Sequence, residues 1–72
     1  MKKEEFYAIV YKYEEDTQEY TNEYPSYLNA KVAFEQDFKQ DRTVEYAILQ
    51  KVTEWENGYE QIEELEEYYK ED

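Results

Sequence analysis

Aromatic rings must supply most of the core of this chain. Ile, Leu, Val and Phe together account for only 13 of 72 residues, whereas ten Tyr, three Phe and one Trp make up 19 % of the sequence. A formal charge of −12 beside so few aliphatic side chains is a combination typical of disordered segments. The rings reverse that expectation, because each can bury roughly 150–250 Å² and a tyrosine packs by its ring while its hydroxyl stays wet. The length suits one small domain, 1–72, with a thin core, modest stability and an acidic C-terminal segment at 56–72.

Composition excludes several classes of chemistry. The absence of Cys and His removes disulfides, Cys or His zinc sites and the Ser-His or Cys-His nucleophiles, and the single Gly cannot build a phosphate-cradling loop. The D-x-[DN]-x-[DN]-G calcium pattern is missing, so neither a metal nor another cofactor is expected. Paired carboxylates do acid–base work only in a cleft that keeps one of them neutral, and no positioned donor or oxyanion site is marked; the chain is read as non-catalytic. No apolar run approaches the roughly 18 residues of a membrane span. Met1-Lys2-Lys3 leads into Glu4-Glu5 without an apolar stretch, so a cytoplasmic location is expected. Direct contact with nucleic acid is not, because this charge repels phosphates.

The pattern of residues suggests the elements. FYAIVYKY at 6–13 is β-branched and aromatic and reads as a strand, with Phe6, Ala8 and Val10 on one face and Tyr7, Ile9, Tyr11 and Tyr13 on the other. A polar turn follows at 14–17, then a weaker strand at 18–24 that Pro25 stops. Ser26 is a helix N-cap. Tyr27, Ala30, Phe34 and Phe38 are spaced 3, 4 and 4, which makes one stripe of a helix over 27–40, with Leu28 and Val32 as its shoulder. A long strand spans 44–55, Asn57-Gly58 signals a type I′ hairpin turn, and a fourth strand runs from Tyr59 to about Glu66. A helix over that last element is the competing reading, since Ile62, Leu65 and Tyr69 are spaced 3 and 4. The expected class is α+β, a small antiparallel sheet with one packed helix in the order β-β-α-β-β. The uncovered face should carry Tyr and Glu, Trp55 should anchor the core, and Tyr68 and Tyr69 should lie outside it.

The acids form two clusters. Residues 54–72 carry a net charge of −8, and Glu14, Glu15, Asp16, Glu19 and Glu23 surround the first turn. Solvation alone accounts for some of this, but the excess suggests a protein that offers carboxylates where a partner expects phosphates. Alternate strand residues stand about 6.6–6.8 Å apart, and phosphates on one DNA strand advance about 3.4 Å along the axis, so a row of acids can imitate a phosphate row. The residues selected for partner contact are Glu56, Glu60, Glu63, Glu64, Glu66 and Glu67, then Glu14, Glu15, Asp16 and Glu19.

With its small size, −12 charge, lack of Cys and His, and Glu/Tyr-rich strands around one short helix, the chain resembles small acidic phage-encoded proteins that block host or defence enzymes by mimicking DNA. That class includes inhibitors of uracil-DNA glycosylases, restriction enzymes and CRISPR nucleases. Gln18-Glu19-Tyr20 through Tyr24, followed by a Ser-led helix, looks like part of a small phage glycosylase inhibitor. The resemblance implies a stoichiometric inhibitor in a bacterial cytoplasm whose partner is a basic nucleic-acid-binding protein or nuclease complex. The alternative is a small interaction module, such as a homodimer, whose acids serve only solubility.

Overall fold

The FYAIVYKY stretch lies within an 11-residue strand, β1 (Lys3–Tyr13), which pairs on both sides. It is joined by β2 (Tyr20–Tyr24), β3 (Val44–Trp55) and β4 (Glu60–Tyr69) in one antiparallel sheet of order β2-β1-β3-β4. The computed structural model describes residues 3–71. Met1 and Lys2, used in the argument about a leader, and Asp72, counted in the acidic segment, lie outside the described residues.

Between β2 and β3 the chain forms helix α1 (Tyr27–Ala33), continued by a π-helical turn at Phe34–Phe38. Ser26 caps it as expected, its hydroxyl oxygen accepting from the Asn29 amide at 3.2 Å. The α-helix is shorter than 27–40 because the ladder widens at Phe34, whose carbonyl accepts from the Lys39 amide at 3.0 Å. The wider turn aligns residues four apart more closely, and both Phe34 and Phe38 are buried against the sheet.

The α+β class is corrected by these proportions. The protein is mostly β, with only 17 % of its residues helical. A twelve-residue helical segment is about 18 Å long, whereas β3 with 12 residues extends about 40 Å. The helix therefore covers part of one face of an elongated sheet, in a molecule whose longest extent is 46 Å.

Strand alternation assigns every side chain to a face. Ile9 pairs with Leu49 and Tyr11 with Ala47, and together with Val44 they form the floor of the core beneath Ala30, Ala33, Phe34 and Phe38. Tyr7, Tyr11, Tyr13 and Tyr24 pack around it and so line the helix side, whereas the uncovered face, expected to carry Tyr and Glu, has Tyr46 and Tyr69. Leu28 is 69 % exposed and Val32 44 %; neither is a shoulder of the core. Trp55 is half-buried at the far end of the sheet, with the Lys3 ammonium 5.1 Å from its ring centre, and is no core anchor. Tyr68 does pack against the core, whereas Tyr69 is exposed.

The fourth element is a strand, as expected, but it runs on to Tyr69, and two local irregularities set its turn and its pattern. The hairpin turn is a three-residue loop and not type I′. The Gly58 amide donates to the Trp55 carbonyl and the Trp55 amide to the Tyr59 carbonyl, both at 2.9 Å. Gly58 has φ 86°, and no non-glycine residue among those described has positive φ. This matches a type I turn closed by a left-handed glycine. Further along, Leu49 pairs with Glu66 and Gln50 with Glu64, leaving Leu65 as an extra residue in a bulge. That insertion puts Leu65 and Tyr68 on the core side while Ile62 and Tyr69 point to the other, so the three residues whose spacing of 3 and 4 suggested a helix lie on opposite faces of a strand.

Truncation of Phe34 to Ala should cost about 3–5 kcal/mol and leave the domain largely unfolded by circular dichroism. Leu28→Ala should stay within about 0.5 kcal/mol of the parent in urea unfolding. Gly58→Ala meets no atoms within 4 Å but forces a left-handed backbone on a side chain; it should lower stability by about 1–2 kcal/mol in the same assay.

Candidate functional site

The face of the sheet opposite the helix is covered by no other element among the described residues. Its rows follow from the register. Glu4, Glu54 and Glu60 lie side by side across β1, β3 and β4, followed by Phe6, Val52 and Ile62. Next come Glu23, Ala8, Gln50 and Glu64 across all four strands, then Thr21, Val10, Ile48 and Glu67, and finally Lys12, Tyr46 and Tyr69. The centre of the face is thus apolar, and carboxylates border it on three sides.

Most of the lysines lie elsewhere. Lys31 donates to Glu35 at 2.9 Å and to Glu66, joining the helix to β4, and Lys39 also pairs with Glu35. Lys3 and Lys51 meet Glu5 on the helix side of the sheet. Lys70 reaches Glu14 at 2.9 Å. On the uncovered face Lys12 is the one cation of the rows, and it pairs with Glu45 at 3.2 Å. None of Glu4, Glu23, Glu54, Glu60, Glu64 and Glu67 forms an ion pair among the described residues. Charge is therefore sorted between the faces, and the net negative charge accumulates where the helix is absent.

Two contacts between carboxyl groups record the crowding. Glu54 is raised above the usual carboxylate range, first by a hydrogen bond with Glu60 that one of the two must be protonated to make, then by desolvation and by the charges of Glu60, Glu4 and Glu23. Glu64 is raised in the same way, chiefly by its hydrogen bond with Glu67. Nearby, the Tyr46 hydroxyl donates to Glu19, and that bond to a carboxylate pushes its pKa up to about 12. On the helix side Glu35 is held low, first by Lys31 and then by Lys39, while Asp41 is lowered by the hydroxyl and then the amide of Thr43.

The ten acids selected from sequence do not form one surface. Glu60, Glu64 and Glu67 stand on the uncovered face. Glu63, opposite Lys51, and Glu66, bound to Lys31, point to the helix side. Glu56 is exposed in the hairpin loop. Glu14 is paired with Lys70, Glu15 is exposed, Asp16 accepts from the Tyr20 hydroxyl at 2.8 Å, and Glu19 is held by Tyr46. Glu4, Glu23 and Glu54 were not selected, yet they complete the border. The signal for Glu4 lay in the alternation, since it shares parity with Phe6, Ala8 and Val10. No group of three or more acids among the described residues is arranged to hold a metal ion, and no helix is long and apolar enough to cross a membrane. Comparison with protein-family models, curated proteins and solved structures finds no match.

The carboxyl pairs make stability depend on pH in a stated direction. A carboxyl with a raised pKa holds its proton more tightly in the folded state, so folding gains as pH falls from neutral through that raised value. Glu35 and Asp41 act oppositely, and their contribution is lost as pH falls below the ordinary carboxylate range. The urea midpoint should rise between pH 7 and about 5 and then decline. Replacing Glu54 and Glu64 with Gln should raise the midpoint at pH 7 and flatten the rise.

Proposed function

We propose that the protein is a non-catalytic inhibitor, encoded by a phage or mobile element, that occupies the nucleic-acid-binding groove of a basic bacterial protein. It acts in the cytoplasm by taking the place of DNA in a host or defence enzyme, without cofactor or turnover. The observation that supports this reading is the sorting of charge, with Glu4, Glu23, Glu54, Glu60, Glu64 and Glu67 gathered on one face whose rows hold a single cation, Lys12, itself paired with Glu45.

Solubility needs charge but no particular placement. Here carboxyl groups crowd together at Glu54–Glu60, opposite each other in the register, and at Glu64–Glu67, which raises the pKa of Glu54 and Glu64, and an arriving arginine or lysine would favour their charged form. Glu23 on β2 and Glu64 on β4, in one row of the face, stand three inter-strand steps apart, about 14 Å, close to the ~12 Å width of the DNA major groove. Charge at this density steers association with a basic groove and makes it depend on ionic strength.

The alternative, a homodimeric module with acids for solubility only, has one observation in its favour: Ile62 is 53 % and Tyr69 57 % exposed on the same face. A two-fold pairing of that face, however, brings two sets of unpaired carboxylates into one interface.

Capture from bacterial lysate, followed by displacement of labelled duplex DNA from the recovered proteins, tests the reading. Recovery should fall steeply between low and high salt. The variant Glu54→Gln/Glu60→Gln/Glu64→Gln/Glu67→Gln should bind at least about tenfold more weakly, whereas Glu14→Gln/Glu15→Gln/Glu63→Gln should bind nearly as the parent does. Partners that bind no nucleic acid, or equal capture by both variants, would overturn it.

A further inference from the structure

We propose that the apolar strip in the centre of the uncovered face receives an apolar side chain that the basic partner presents between arginines or lysines. This deepens the reading of the acidic face as a partner-binding surface and names the chemistry of what lands on it.

The strip consists of Phe6, Val52 and Ile62 in one row and Val10 and Ile48 in another, with Ala8 and Gln50 between them. Three strands span about 10 Å, and Phe6 to Val10 about 13 Å, which is room for one or two side chains and too little for a second layer of structure. Ala8 and Val52 are buried by their neighbours, at 2 % and 5 % exposure, while Ile62 stands 53 % exposed. An aliphatic residue on an edge strand between Glu60 and Glu64 adds nothing to the helix-side core, which it faces away from. Glu or Thr would serve that position for solubility alone.

Charge decides the occupant. A second copy would bring its own Glu4, Glu23, Glu54, Glu60, Glu64 and Glu67 into the same interface as these six, with Lys12 already paired to Glu45, and like charges within an interface suppress association. Nucleic acid and anionic lipid are repelled for the same reason. A basic surface with an aliphatic side chain at its centre meets both features at once: the rim supplies steering and charge-assisted hydrogen bonds, and the centre supplies desolvation at a small, water-excluded spot.

Two synthetic peptides of equal positive charge test this, one with Leu flanked by Arg and Lys, the other with Ser in its place. Each is titrated into the ¹⁵N-labelled full chain. The Leu peptide should bind at least about tenfold more tightly and shift the amides of Phe6, Val10, Ile48, Val52 and Ile62. Ile62→Ser, at an exposed position, should keep the fold by circular dichroism and shrink the difference between the two peptides several-fold. Equal affinities, no binding of either peptide, shifts confined to the helix side, or a concentration-dependent dimer that Ile62→Ser dissolves would each overturn the proposal. Failure of DNA displacement with peptide discrimination intact would overturn the inhibitor reading and support this one; displacement without discrimination would do the reverse.

Discussion

The packing of Phe34 onto the Ile9–Leu49 pair is the contact on which the rest of the structure depends. All three side chains are fully buried, and they join the helix to the two central strands at once. Ala30 and Ala33 let the helix approach closely, because small side chains hold it near the strands. The surrounding tyrosines widen this small centre without adding polar atoms that would need partners, since their hydroxyls lie toward the rim. Tyr11 illustrates the point: its ring is 4.6 Å from that of Phe38 while its hydroxyl donates to Asn22 at 3.2 Å. A chain poor in aliphatics obtains a core by using amphipathic rings that need only half-burial.

That core is one-sided, and the distribution of charge follows from it. The helix brings Lys31 and Lys39 over the Phe34 ring, at 5.9 Å and 5.7 Å from its centre, where their stems cover apolar surface and their ammonium groups bind Glu35 and Glu66. Lys3 and Lys51 share Glu5 on the same side. A chain with 8 bases and 20 acids that places several of its bases around the helix has little left to neutralise the opposite face. The asymmetry is a property of topology and not of the total charge. A helix packed on the other face of the sheet would bring Lys31 and Lys39 over the same acids.

Much of the architecture was legible because it rests on local rules. The alternation of Phe6-Ala8-Val10 against Tyr7-Ile9-Tyr11, the cap at Ser26 and the turn at Gly58 are decided within a few residues. The class was not, because the length of helix that reads as a continuous stripe includes a turn that widens at Phe34, and because two long central strands outweigh it. The acidic surface was legible as composition but not as geometry. A run such as Glu63-Glu64-Leu65-Glu66-Glu67 looks like one cluster, yet a strand distributes it over two faces, and the bulge at Leu65 changes the parity midway. Glu4, distant in sequence from either cluster, joins Glu54 and Glu60 only through the register between β1, β3 and β4.

The same acids answer a problem that the fold creates. A sheet with an apolar strip on an uncovered face and two free edges invites pairing with further copies. Here β2 is short, at 5 residues, and β4, the longer edge, carries glutamates toward both faces along most of its length. An incoming identical edge or face meets its own charge, whereas an incoming basic surface meets its complement. Solvation and recognition are therefore not competing accounts of these residues. On the reading proposed above, the charge that opposes self-association of the strip would also select what covers it, and a neutral polar border would achieve neither.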